Sequence, residues 1–160
     1  MFGLQPQQPQ AEHSAVFPTS AGSTEAQKIP ISFLNSSRSS FMPISVLADS
    51  GSDITLLSRE DGERLGFNPD SSNDKFGVGG VGAGALGFSK FITLIKIGRL
   101  APIQINFGVS DKRGALRDNL LGRENVLSKF DVTYRENSVT FVSRGQKAMI
   151  AGMFTDGRGF

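Results

Sequence analysis

The chain has 160 residues, of which 38% are hydrophobic and 20% charged, and its formal net charge is +2. Such a length supports one domain with loose ends, and so small a charge excess leaves no electrostatic footprint for nucleic acid or a membrane surface. Cysteine is absent, which removes disulfides, thiolate metal sites and a cysteine nucleophile.

Residues 1–27 read as a disordered tail or propeptide. Gln5-Pro6-Gln7-Gln8-Pro9-Gln10 is low in complexity, and Thr19 to Thr24 is small and polar. Segments of this kind bury too little apolar surface to offset their ordering entropy. His13, the sole histidine, falls in this tail, which argues against a histidine-based triad or metal site. Neither a basic segment with an apolar core nor an apolar run of roughly 18 residues is seen, so no signal peptide or membrane span is expected. The expected compartment is the cytoplasm.

From Lys28 the pattern changes. Ile29, Ile31 and Phe33 alternate with Pro30, Ser32 and Leu34, which predicts a strand. Asn35 to Ser40 supplies a turn, and Phe41 to Ala48 predicts a second strand running into Asp49. Ile54-Thr55-Leu56-Leu57 reads as a short buried strand. Ser58, with Asp61 three residues on, predicts a helix start, and Gly66 its end. Residues 76–88 are dominated by glycine. Phe91 to Ile97 and Ile103 to Val109 predict two more strands. A helix is expected over Glu124 to Phe130, where Val126, Leu127 and Phe130 fall at helical spacing. Asp131 to Tyr134 and Ser138 to Val142 predict a hairpin. The fold expected from this pattern is all-β, a small closed or nearly closed barrel.

The chemistry centres on Asp49 in Val46-Leu47-Ala48-Asp49-Ser50-Gly51-Ser52. An apolar strand here ends in a carboxylate and enters a Ser-Gly turn. Glycine permits the tight turn, and the serine hydroxyl can fix neighbouring backbone. Two carboxyl groups brought together in a desolvated cleft share one proton and divide the work of general acid and base. The plain alternative is a turn with a self-bonding aspartate.

Leu47-Ala48-Asp49-Ser50-Gly51-Ser52-Asp53 resembles the active-site motif of the retropepsin-like aspartic proteases. A second signature of that family, an apolar pair followed by Gly-Arg, is matched by Leu120-Leu121-Gly122-Arg123, about 70 residues on. The glycine-rich run Phe76-Gly77-Val78-Gly79-Gly80-Val81-Gly82 stands between them, where the family carries its flap. Lys129-Phe130-Asp131-Val132-Thr133-Tyr134 is similar to the strand that follows in cellular and bacterial-type members.

The resemblance implies a small retropepsin-like closed β-barrel (the acid protease fold) with a glycine-rich flap hairpin and a short C-terminal helix. Its domain would span 28–145, followed by an extension at 146–160. It implies an aspartic endopeptidase with Asp49, Ser50 and Gly51 as the catalytic triplet. Asp53, Gly77, Val78, Gly79, Gly80 and Val81 would bind substrate, and Gly122 and Arg123 would give structural support through a partly buried, bidentate Asp53–Arg123 pair. The triplet occurs once, so the second aspartate is expected from a second copy across a twofold axis. The implied partners are a homodimer mate and a peptide or protein substrate, without nucleic acid or membrane, and no cofactor or metal is implied. Asp131 to Val142 is the segment expected to build the dimer sheet. Phe17-Pro18 resembles the aromatic-proline junctions that some viral relatives cut, which makes it a candidate self-cleavage point.

Two other readings remain open: an inactive retropepsin-like dimer that binds peptides or scaffolds a partner, and a domain of a larger chain whose tails connect to other modules. Gly77 to Gly82 also fits G-x-G-x-x-G, but a dinucleotide site is rejected. The strand predicted at Phe91 to Ile97, where a phosphate-binding helix should start, argues against that site.

Overall fold

The computed structural model describes residues 13–19, 28–49, 51–79 and 86–144. Ten strands and one α-helix lie within them: β1 (Ser14–Pro18), β2 (Lys28–Leu34), β3 (Phe41–Ala48), β4 (Thr55–Leu57), α1 (Arg59–Arg64), β5 (Lys75–Val78), β6 (Leu86–Lys96), β7 (Ile103–Ser110), β8 (Leu120–Leu121), β9 (Phe130–Arg135) and β10 (Ser138–Ser143). The larger sheet runs β2-β3-β8-β4-β7-β6-β5, and β2 also pairs with β6. That extra pairing, Ser32 with Lys96 and Phe33 with Ile95, closes a six-stranded barrel. β5 stays outside the ring and pairs only with β6 among the described residues.

The alternation in the sequence decides which side chains fill the barrel. Ile29, Ile31 and Phe33 of β2 and Ile44 and Val46 of β3 are fully buried, as period-two strands with one core face require. Ile105, Phe107 and Val109 of β7 close the core from the opposite wall. Phe107 packs edge-on against Phe33 and Phe67, with ring centroids 5.9 and 5.1 Å apart, a geometry that aromatic quadrupoles favour. The helix signals also hold. The Ser58 side chain accepts from the Asp61 amide, and α1 stops before Gly66, whose φ is +89°. The expected strand at Phe91 to Ile97 begins earlier, at Leu86, and pairs with β5 in a hairpin.

Two expectations need correction. The tail 1–27 is not unstructured throughout. β1 pairs antiparallel with β10, from Ser14–Val142 to Pro18–Ser138, and completes a three-stranded sheet in the order β1-β10-β9. Ala15 and Phe17 are buried there, and Phe17 packs edge-on against Phe141. Phe17-Pro18 therefore sits in a paired strand, a poor setting for the expected self-cleavage, which needs an extended accessible segment. Two buried positions in alternation were too short a signal to stand out from the polar residues around them.

The helix over Glu124 to Phe130 does not form either. The segment is a turn ending in a three-residue 3-10 helix, Leu127–Lys129. Asn125 has φ +62°, and Val126 lies outside the helical region at φ −124°, ψ −86°. Val126, Leu127 and Phe130 are nonetheless buried. Their helical spacing reported burial correctly, but a turn satisfies it as well as a helix.

Candidate active site

β3 delivers Asp49 to its place. Leu47 and Ala48 pair in parallel with Leu120 and Leu121 of β8, and the Asp49 amide donates to the Leu121 carbonyl at 3.1 Å. The half-buried Asp49 then turns back on itself. Its Oδ1 accepts the Gly51 amide at 2.9 Å, and its carbonyl accepts the Ser52 amide at 3.1 Å. A backbone donor on a carboxylate oxygen both stabilises and aims the charge.

The predicted Gly-Arg segment clasps this loop from below. Arg123 donates its amide to the Ser52 carbonyl at 2.9 Å, and Glu124 to that of Asp53 at 2.8 Å. Gly122 donates to the buried Thr55 hydroxyl at 3.0 Å. The two backbones approach so closely that a Cβ at Gly122 would collide with the main chain of Ile54. Only glycine permits that approach. Asp53 and Arg123 form an ion pair, as expected, but not the partly buried, bidentate one. A single guanidinium nitrogen meets Oδ1, and the side chains are 76% and 58% exposed. An exposed single contact of this kind adds little stability.

Above the loop lies a cleft of about 520 Å³. Asp49, Gly51 and Asp53 line its floor. Ile54, Leu56 and Leu120 give it apolar flanks, and Phe76, Gly77, Val78 and Gly79 of the β5 side form the opposite wall. The structure thus brings together Asp49, Gly51, Asp53, Gly77, Val78 and Gly79 around one space, with Gly122 and Arg123 beneath it. Ser50, Gly80 and Val81 lie outside the described residues, as does the extension 146–160.

Sequence reasoning missed Tyr134. Its hydroxyl donates to the Ala48 carbonyl at 3.3 Å, one residue before Asp49. Burial first, and then the nearby Asp49 charge, hold its phenol above the usual range. Its position in the Phe-x-Val-Thr-Tyr strand carried no sign that it faces the carboxylate loop. Of the apolar flanks, the sequence marks Ile54 and Leu56 as a buried strand and Leu120 as part of the Gly-Arg signature, without pointing any of them at the cleft. Among the described residues no group of three or more His, Cys, Asp or Glu side chains is placed to hold a metal ion, and no helix is long and apolar enough to cross a membrane.

A closed six-stranded barrel with an Asp-Ser-Gly loop clasped by a Gly-Arg segment is the retropepsin-like form of the aspartic protease fold. The aspartyl protease family profile matches residues 39–124, from the turn before β3 to the residue after Arg123. The chain belongs to that family. Among solved structures it is similar to a retropepsin-like aspartic protease from Rickettsia conorii, with a TM-score of 0.57 and 15% identity, over 84% of this chain and 96% of that one. It also matches the retroviral protease-like domain of Ddi1 from Leishmania major, at 0.48 and 15%, over 72% of this chain and 93% of that one. The EIAV protease complexed with an inhibitor matches at 0.44 and 24%, over 60% and 80%. No curated protein sequence matches the chain.

Proposed function

We propose that the chain is an aspartic endopeptidase that works as a homodimer, with Asp49 of each copy forming a paired catalytic centre. The observation that carries this reading is the placement of Asp49: a half-buried carboxylate, pinned by the Gly51 amide, on the floor of an apolar-flanked cleft. Among the described residues one copy offers one such carboxylate, and peptide hydrolysis by this chemistry needs two.

In the pair, one carboxylate removes a proton from water as its oxygen attacks the peptide carbonyl carbon. The other, protonated, gives its proton to the carbonyl oxygen. Collapse of the resulting gem-diol breaks the C–N bond: one diol hydroxyl returns its proton to the second carboxylate as the acid carbonyl forms, and the leaving nitrogen takes the proton that the first carboxyl received from water. An extended peptide would lie as an added strand along the outer edge of β5, which has no strand partner among the described residues, with its apolar side chains against Ile54, Leu56, Phe76 and Leu120. Gly80 and Val81 would continue that wall as part of a flap, and Ser50 would brace its counterpart in the second copy. The three-stranded sheet is the docking surface this reading favours for the second copy. Its outer strand β9 carries Tyr134, which contacts the Asp49 strand.

The test is Asp49→Asn. It keeps the shape of the side chain but cannot act as the base. Casein cleavage should fall by about a thousandfold or more, while dimer mass and thermal stability stay near those of the wild type. Cleavage by the variant at the wild-type rate contradicts the assignment.

A further inference from the structure

The two sides of the cleft are built from different materials. The Asp49 loop is stitched to β8 and the Gly-Arg segment by backbone hydrogen bonds. β5, in contrast, is an edge strand outside the barrel ring. Its root is secured by side chains. Lys75 stands opposite Ser89 in the β5–β6 register, and its Nζ donates to the Pro69 carbonyl at 2.6 Å, to Ser89 Oγ at 2.6 Å and to Asp111 Oδ1 at 3.0 Å. All three donor positions of the ammonium are thereby used. Ser89 is fully buried and reaches the same Asp111 oxygen at 2.5 Å.

Asp111 is itself held on its backbone. Its amide donates to the Gly87 carbonyl at 3.0 Å, and its carbonyl accepts Arg59 Nη1 at 2.6 Å. Arg59 in turn pairs with Glu63 and Asp70. The cluster therefore joins β5 to β6, to the end of β7, to α1 and to the 3-10 turn Pro69–Ser71. A lysine beside a serine also invites a nucleophilic reading. The complete burial of Ser89 and its short contact with Asp111 leave no approach for a substrate.

We propose that Lys75 is a positioning residue for the cleft. By tying the root of β5 to Ser89 and Asp111, it fixes the wall formed by Phe76 to Gly79 relative to Asp49. Beyond the root, β5 is held by its main-chain ladder to β6 and by Phe76 and Val78 packing on the small apolar cluster of Leu56, Phe88 and Leu116. Phe76 stacks on Phe88 with centroids 5.7 Å apart, and among the described residues β5 has a hydrogen-bonded neighbour on one side only. Loss of the ammonium lets the wall sample positions that do not match an extended peptide. Binding is then weakened by the fraction of time spent there, while the chemistry at Asp49 is untouched. The inference rests on the reading of the cleft as a peptide site.

The experiment uses the full chain with Lys75→Met, Lys75→Arg, Asp111→Asn and the double variant Lys75→Met/Asp111→Asn. Two measurements are made: steady-state cleavage of labelled casein, and hydrogen exchange over the segment 75–79 compared with β2 and β3. Lys75→Met should raise KM about fivefold or more with kcat changed less than about twofold, and should speed exchange in 75–79 but not in β2 or β3. Lys75→Arg should restore most of both. The double variant should be no worse than the poorer single variant, because both act on one contact. Unchanged KM and unchanged exchange in Lys75→Met overturn the proposal. So does faster exchange that spreads equally to β2 and β3, which would mean a role in global stability alone. If the wild type cleaves nothing, the protease reading fails, and the exchange comparison still decides whether Lys75 fixes the wall.

Discussion

The floor and the β5 wall of the cleft face each other across one space, yet they are held differently. The floor rests on main-chain contacts, from Asp49 to Leu121, from Arg123 to Ser52 and from Glu124 to Asp53, with Gly122 pressed against the Ile54 backbone. The wall shares a main-chain ladder with β6 along one edge, and its root is fixed by the side chains of Lys75, Ser89 and Asp111. Backbone contacts depend on residues that permit a geometry, above all glycine. Side-chain contacts depend on particular functional groups, which many other sequences could supply. The floor should therefore be rigid and intolerant of change, and the wall adjustable.

The largest expected effect falls on the floor. Gly122→Ala places a methyl group into the Ile54 main chain, which cannot turn aside as a flexible side chain can. A destabilisation of about 3 kcal/mol, the upper end for overpacking, is expected in denaturant titration, with casein cleavage lost. A stable, active Gly122→Ala protein would show that the floor yields, and the contrast between the two sides would collapse.

The next effect falls on the elements that brace the wall. Arg59 hydrogen-bonds to Asp70 and Glu63, which holds both carboxyls below the usual range. A depressed folded-state value stabilises the fold above the unfolded value, near pH 4, and that contribution is lost as pH falls through the folded values. Thermal stability should therefore drop on acidification from about pH 5 to pH 3. The drop should be shallower in Arg59→Met, which has lost the partner that depresses both carboxyls. Parallel stability curves for the two proteins would remove this network from the account.

The smallest effect belongs to the most conspicuous pair. Arg123→Ala breaks an exposed contact with Asp53 but leaves the Arg123 amide bonded to Ser52. A loss of about 1 kcal/mol or less is expected in denaturant titration. A much larger loss would mean that the ion pair, and not the backbone clasp, holds the floor.

The same contrast explains what could be read from the sequence. The floor was legible because tight turns and close backbone approach leave few residue choices: Asp49-Ser50-Gly51 and Gly122-Arg123 are spelled in residue types. The barrel strands were legible for a related reason, since Ile29, Ile31 and Phe33 or Ile105, Phe107 and Val109 must alternate to fill one face. The root of the wall was not. Lys75, Ser89 and Asp111 are common polar residues far apart in sequence, and only the chain path brings them together. Tyr134 escaped notice for the same reason. Strand β1 was hidden by its setting, because Ala15 and Phe17 become core residues only once β10 offers Phe141 and Val139. At Asn125 a left-handed residue broke a helix that apolar spacing alone predicted.

The central claim is that one chain holds half of a catalytic centre. The most direct measurement is casein cleavage by a fixed amount of wild-type chain mixed with equimolar Asp49→Asn, at concentrations spanning the dimer dissociation followed by sedimentation. If two Asp49 carboxylates are needed, random pairing leaves about half of the wild-type chains in competent dimers. Activity should fall to about that fraction on mixing, and activity per chain should decline on dilution with the same midpoint as the dimer mass. Activity that neither changes on mixing nor falls as the dimer dissociates would contradict the account.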